Sequence, residues 1–119
     1  MHTTYQLLQN IAQLLFDKKA RNIIGLDLRG VSNVADYFLI AEGTVDRHTK
    51  ALERAIEERL TELGLNLLHI EGERTGDWIV MDYGDFMIHL FIPELRERYG
   101  LEQLWCAAHV VTLHIDTLS

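Results

Sequence analysis

The spacing of apolar residues along the chain predicts two amphipathic helices. Over residues 4–19 apolar side chains recur every three or four positions, the period of a helix, and Thr3 or Thr4 stands at the N-cap position. A second stripe runs between Thr44, the predicted N-cap, and Gly64, the predicted C′ residue. The stripes consist of Leu7, Leu8, Ile11, Leu14 and Leu15 in the first helix and of Leu52, Ile56, Leu60 and Leu63 in the second.

Shorter apolar segments predict five strands, at 23–28, 36–41, 67–71, 78–83 and 86–91. Tyr83-Gly84-Asp85 between the last two is typical of a hairpin. Pro93 ends the series, and two short helical segments are predicted around 94–98 and 101–105. The order of elements predicts an α/β (α+β) fold, with a mixed five-stranded sheet and two main helices.

The composition is that of one globular domain spanning residues 1–119. Hydrophobic residues make up 48% of the chain and charged residues 24%, and a chain of this length buries one core. No apolar run is long enough to span a membrane. The N-terminus lacks the features of a signal peptide, and the single cysteine, Cys106, can form no internal disulfide. We therefore expect a cytosolic protein.

The charge balance favours a protein partner over nucleic acid. Eleven Lys and Arg residues stand against 18 Asp and Glu residues, which gives a net charge of −7. Proteins that bind phosphate backbones over a wide face are normally basic. We therefore expect little direct nucleic-acid binding and a partner with a basic surface.

Residue spacing predicts no metal or cofactor site. Among the six histidines, His109 and His114 are five positions apart, and the sequence has no HxxxH or CxxC spacing. Gly72 and Gly76 flank a short polar segment, but the Gly-Lys-Ser/Thr of a phosphate-binding loop is absent. No cofactor and no metal ligand is predicted.

The order of elements resembles the nucleotidyltransferase fold, so the carboxylates were compared with that active site. Two-metal phosphoryl transfer needs two acids on one side of the sheet, which a spacing of two residues on a strand provides. Asp82 and Asp85 are three positions apart, and only Glu71 and Glu73 have the required spacing. We predict that Asp82 and Asp85 fix the hairpin through backbone hydrogen bonds. The sequence thus predicts this topology without its catalytic site, and a metal-dependent nucleotidyltransferase remains the alternative.

The predicted strands carry apolar side chains on both faces, more than two helices can cover. Some of this surface is therefore expected to bind a partner, the alternative being that helices on both faces and the tail cover it. Trp78 begins its strand next to a loop, so its ring is expected to reach outward, whereas Trp105 is expected in the core or in a dimer contact. The predicted partner-binding residues are Trp78, Ile79, Met81, Tyr83, His89, Phe91, Leu95, Tyr99 and Leu101.

Residues 23–105 are similar to the ribosomal silencing factor (RsfS, Iojap-like) family. The segments that carry the resemblance are LRGVSNVADYF at 28–38, GTVDR at 43–47, EG at 71–72, DWIVMDYGD at 77–85, HLF at 89–91 and YGLEQLW at 99–105. They follow the order and spacing of the family. The resemblance implies a mixed α/β fold akin to nucleotidyltransferases without their catalytic acids.

The resemblance also implies a function. A member of this family binds ribosomal protein fourteen of the large ribosomal subunit, on the face that meets the small subunit. It thereby blocks the joining of the two subunits and represses translation, notably under nutrient limitation, and it is expected to form a homodimer without catalytic activity. A dimerisation module with another protein partner is the further alternative.

The tail is the one departure from the family that the sequence indicates. Family members often end soon after the Leu-Trp motif, whereas this chain continues from 106 to 119. Residues 110–115 are apolar enough to form an added strand. Such a strand would pair across a dimer or cover a sheet edge.

Overall fold

The computed structural model describes residues 2–95 and 108–117, which form one mixed sheet with two long helices against it. The helices are α1 (Thr4–Asp17) and α2 (Asp46–Glu62). The strands are β1 (Arg21–Asp27), β2 (Tyr37–Glu42), β3 (His69–Glu71), β4 (Trp78–Asp82), β5 (Phe86–Phe91) and β6 (His109–Val111). Their order across the sheet is β3-β4-β5-β2-β1-β6; β2 and β5 are parallel, and the other pairs are antiparallel.

The predicted α/β class is confirmed, and the five predicted strands are present. Within the described residues the sheet has six strands rather than five, because residues 109–111 pair with β1. The tail strand was predicted at 110–115, but it is shorter and ends where the chain leaves the sheet. The tail strand was expected to pair across a dimer or to cover a sheet edge. It covers a sheet edge, since β6 pairs with the outer edge of β1. The helical segment predicted at 101–105 and most of the one at 94–98 lie outside the described residues, as do Tyr99, Leu101, Trp105 and Cys106.

The sheet separates two apolar clusters. Both helices pack against the same face, where their stripes meet the inward-pointing residues of β2, β4 and β5 in the larger cluster. The smaller cluster lies on the opposite face and contains no residue of α1 or α2; its buried members are Leu26, Leu28, Ala35, Phe38, Ile40 and Phe91. We call the face that carries the smaller cluster the outer face.

The two helix starts differ in how they are capped. Thr3 is the N-cap of α1, one of the two residues that the sequence predicted, and it forms a reciprocal capping box with Gln6. The N-cap of α2 is Val45 rather than Thr44, so that prediction is wrong by one residue. The backbone N–H of Thr44 instead donates to Nδ1 of His48 at 2.9 Å, and Val45 adopts the extended N-cap conformation without a side-chain hydrogen bond.

We therefore expect Val45→Ser to stabilise the protein. A serine hydroxyl at this position can accept a hydrogen bond from the first turn of α2, worth about 1 kcal/mol in the free energy of unfolding. Little apolar burial is lost, because Val45 is 56% exposed. Urea denaturation should show a higher free energy of unfolding for Val45→Ser and an unchanged one for Thr44→Ala. No gain in Val45→Ser together with a loss of about 1 kcal/mol in Thr44→Ala would contradict the assignment of Val45 as the N-cap.

Candidate partner-binding face

The predicted partner-binding residues divide between the two faces of the sheet. Ile79 and Met81 are fully buried beneath the helices, and Tyr83 packs in the same cluster. The remaining described members, Trp78, His89, Phe91 and Leu95, belong to the outer face or pack against it. Strand alternation was therefore predicted correctly, but only four of the seven described members share one surface.

Strand register brings the outward-pointing side chains of four strands into two rows. Across the first row, Val80 of β4 lies between Glu71 of β3 and His89 of β5. Ile40 of β2 continues that row beside His89. The second row contains His69, Asp82, Met87 and Phe38, one from each of the same four strands.

Exposure along these rows changes from one edge of the sheet to the other. Towards β1, Phe38, Ile40 and Phe91 are buried. Towards β3, three apolar side chains are partly exposed: Trp78, Val80 and Met87. Two acidic residues of the same rows flank these side chains: Glu71 and Asp82. We call the three apolar residues the outer patch and the two acids its acidic rim.

Two neighbours fix the indole of Trp78 in the outer patch. Its ring stacks on Phe91 with a centroid separation of 5.0 Å and an interplanar angle of 27°. Its Nε1–H donates to Nδ1 of His89 at 3.2 Å. The ring was expected to reach outward, but it lies partly buried against the sheet, so one part of it is held and another faces solvent. A side chain fixed in this way loses little conformational entropy when a partner covers it.

His89 lies buried on the outer face, and protonation of its Nδ1 would break the hydrogen bond from Trp78. It is 5% exposed, and burial lowers its pKa from 6.5 to about 4. Because Nδ1 accepts the hydrogen bond of Trp78, the proton of the neutral ring resides on Nε2. Nε2 is buried and has no hydrogen-bond partner among the described residues, and the ring centroid lies 4.4 Å from that of Phe38.

A pH dependence of stability follows from the lowered pKa of His89. The unfolded chain takes up a proton near pH 6.5, but the folded chain does so only near pH 4. Stability is therefore full above pH 6.5 and is lost as the pH falls towards 4, by an amount on the order of 3 kcal/mol. His89→Gln removes the titration, so its free energy of unfolding should depend less steeply on pH in this window. Parallel curves for the variant and the unmodified chain would disprove the assignment to His89.

The carboxylates of the hairpin have structural roles. Oδ1 of Asp82 accepts the backbone N–H of Gly84 at 2.8 Å, which confirms the predicted hairpin bond for Asp82. Asp85 contributes through its backbone carbonyl, which accepts from the backbone N–H groups of Asp36 and Tyr37. Glu71 accepts from Nε2 of His69 at 2.9 Å, and this bond raises the pKa of His69.

Over residues 2–95 and 108–117, no group of three or more His, Cys, Asp or Glu side chains is arranged to hold a metal ion. Within the same ranges, no helix is both long and apolar enough to cross a membrane.

Val80 and Met87 are members of the outer patch that the sequence analysis missed. A signal for them was present, because Val80 alternates with Trp78 and Met87 with His89 on the same strand face. The exposure of this face could not be predicted from alternation, since it depends on which face the helices cover.

Comparison with known proteins identifies the family. The family described as "Ribosomal silencing factor during starvation" matches residues 1–118. The chain belongs to the ribosomal silencing factor family. It is 39% identical over 97 residues to "Ribosomal silencing factor RsfS" of Bacillus subtilis, covering 82% of each chain. The match to residue 118 also shows that the tail lies within the length of the silencing factor family, so its prediction as a departure was wrong.

Two further proteins are similar to this silencing factor. The mouse protein "Mitochondrial assembly of ribosomal large subunit protein 1" is 35% identical over 98 residues, which cover 80% of this chain and 43% of that protein. A crystal structure of a protein from Chromobacterium violaceum is similar with a TM-score of 0.81 and 27% identity, covering 98% of both chains. The fold is thus shared along almost the whole chain.

Proposed function

We propose that this protein binds the large ribosomal subunit through ribosomal protein fourteen, blocks joining of the two subunits and so represses translation. It acts as a non-catalytic homodimer in the cytoplasm. The observation that carries the proposal is the outer patch with its acidic rim, in a member of the ribosomal silencing factor family. The name of the mouse relative, which concerns assembly of the large subunit, also supports that subunit as the partner.

The outer patch has the composition of a protein-binding site. Its centre is apolar and includes a tryptophan, the residue type most enriched among binding hot spots. Its rim is acidic, and the whole chain carries a net charge of −7. A ribosomal protein that contacts RNA phosphates needs basic surface, so charge complementarity favours such a protein over bare RNA as the partner.

We propose a smaller set of contact residues, chosen by their exposure on the outer face. The centre of the proposed contact consists of Trp78, Val80 and Met87. Leu95 packs against the same outer cluster, and we place it at the border of the contact. His89 and Phe91 support the indole from within the sheet. Ile79, Met81 and Tyr83 have no exposed surface on this face, and they contribute by holding β4 in place. Tyr99 and Leu101 stay in the proposal on the sequence alone.

Binding to isolated protein fourteen tests the partner directly. A titration followed by calorimetry should give a one-to-one complex whose affinity falls as the salt concentration rises. Binding to intact large subunits without any binding to isolated protein fourteen would contradict the choice of partner.

Charge reversal in the acidic rim should weaken that complex. Glu71→Lys places a positive charge beside the outer patch, where it repels a basic partner, and we expect a loss of roughly tenfold in affinity at low salt. Glu58→Lys makes the same change in net charge on an exposed position of α2, away from the outer face, and serves as the control. Equal losses of affinity in both variants would mean that the net charge of the protein, and not the acidic rim, determines binding.

A further inference from the structure

The tail beyond β6 lies against α1 in a regular arrangement of hydrogen bonds. We call residues 112–117 the strap. The side-chain amide of Gln9 donates to the backbone carbonyl of His114 at 2.7 Å and accepts its backbone N–H at 2.8 Å. Gln13 repeats both bonds with Asp116, at 3.0 Å and 2.7 Å. The hydroxyl of Tyr5 adds a fifth bond to the carbonyl of Thr112, at 2.9 Å.

This arrangement follows from two matching periods. Tyr5, Gln9 and Gln13 are four positions apart on α1, which separates them by about 6 Å along the helix. Alternate residues of an extended chain are separated by about 6.7 Å. One side of α1 therefore presents a hydrogen-bonding side chain to every second peptide group of an extended segment. The glutamines bind the segment through its backbone, so these bonds do not depend on the sequence of the bound segment.

The alternate side chains of the strap supply the apolar contacts. Leu113 and Ile115 are partly buried and pack against the larger core cluster, whereas Thr112, His114 and Asp116 are exposed. Gly25 of β1 lies beneath the start of this segment. A Cβ at Gly25 would lie 3.2 Å from Cβ of Val111, a tight contact with β6, and 3.7 Å from Cδ1 of Leu113, an ordinary contact with the strap. The groove between α1 and β1 thus has a polar wall of glutamines and an apolar floor.

We propose that this groove is a peptide-binding site that accepts an extended peptide with apolar side chains two positions apart. The strap occupies it in this structure and closes it to other peptides of that kind. Two features support a site and not simply a packed tail: four of the five hydrogen bonds involve glutamine side chains placed at the repeat of an extended chain, and in all five the partner is a backbone group of the strap. A peptide tethered to its own site competes at an effective concentration in the millimolar range. An external peptide therefore binds only when the strap is released.

A strap-release variant of the full chain tests the proposal. Leu113→Ser with Ile115→Ser removes the two apolar contacts and leaves the groove unchanged. The probe is a fluorescent synthetic peptide with the sequence of the strap, residues 112–117, and binding is followed by anisotropy. We expect the peptide to bind the variant roughly tenfold or more tightly than the unmodified chain, by release of the tethered competitor. Adding Gln9→Met and Gln13→Met, which keep side-chain length without the amide, should abolish binding.

Two control peptides separate backbone binding from side-chain binding. Replacing the exposed residues, as in His114→Ala and Asp116→Ala, should leave the affinity of the peptide unchanged. Replacing Leu113 and Ile115 by serine should eliminate binding. Failure of the unmodified peptide to bind a folded strap-release variant, or binding that does not depend on Gln9 and Gln13, would overturn the proposal.

Hydrogen exchange on the full chain provides a measurement that needs no release of the strap. The backbone N–H groups of His114 and Asp116 should exchange slowly, because the glutamines accept them. Gln9→Met should speed exchange mainly at His114, and Gln13→Met mainly at Asp116. Exchange of both amides at the rate of an unstructured peptide in the unmodified chain would also overturn the proposal.

Discussion

Gly72→Ala is expected to destabilise the protein by about 3–5 kcal/mol in the free energy of unfolding. Gly72 follows β3 with φ +83°, a conformation that costs an alanine about 1 kcal/mol or more. A Cβ there would also lie 1.9 Å from the backbone oxygen of Trp78. That oxygen belongs to the first residue of β4, so the clash can be relieved only by moving β3 and β4 relative to each other.

Gly64→Ala is the matched control for this prediction. Gly64 has nearly the same backbone angle, with φ +86°, but apart from its chain neighbours no described residue has an atom within 4 Å of the position of its Cβ. Its substitution should cost only the conformational strain, about 1 kcal/mol. Urea denaturation of both variants separates the two contributions. Equal losses would mean that backbone strain alone acts, and that the close approach of Gly72 to β4 is not tight in solution.

Trp78→Ala is expected to weaken binding to the large subunit by about 2 kcal/mol or more, roughly thirtyfold in affinity. Trp78 presents the largest side chain of the outer patch, and the contacts with Phe91 and His89 fix its ring before the partner arrives. The same variant should lose about 2 kcal/mol of stability, less than a fully buried tryptophan, because the ring is only partly buried.

The stability loss requires a control that leaves the outer face intact. Ile70→Ala removes a partly buried side chain from the neighbouring strand, β3, but on the helix side of the sheet. It should lower the melting temperature to a similar extent and leave binding unchanged. A Trp78→Ala variant that binds as well as the unmodified chain would exclude Trp78 from the contact. A Trp78→Ala variant that no longer folds would place Trp78 in the core.

The sequence predicted which strand residues share a face of the sheet, but not which face the helices cover. The two-residue period correctly separated Ile79 and Met81 from Trp78, because a strand permits no other arrangement. It could not predict that both helices pack on one side, since that depends on the path of the chain between elements. Residues from both faces were therefore assigned to the same binding site, and the partly exposed Val80 and Met87 were left out.

The contacts of the strap were beyond sequence reasoning for a related reason. The equal spacing of Gln9 and Gln13 is visible in the sequence, but amide side chains on a helix surface normally face solvent. Their partners lie more than 100 residues away in the chain, at His114 and Asp116. Residues 110–115 were predicted as a strand from their apolar character. Only 109–111 pair with β1, because the chain then crosses from the sheet edge to α1.

Sedimentation of purified ribosomal subunits tests the central proposal most directly. Large and small subunits are mixed under joining conditions with and without this protein, and the gradient fractions are probed for it. We expect the protein in the large-subunit peak and fewer joined ribosomes, with joining restored when the Trp78→Ala variant replaces the unmodified chain. Undiminished joining, with no protein in the large-subunit peak, would contradict the proposed function.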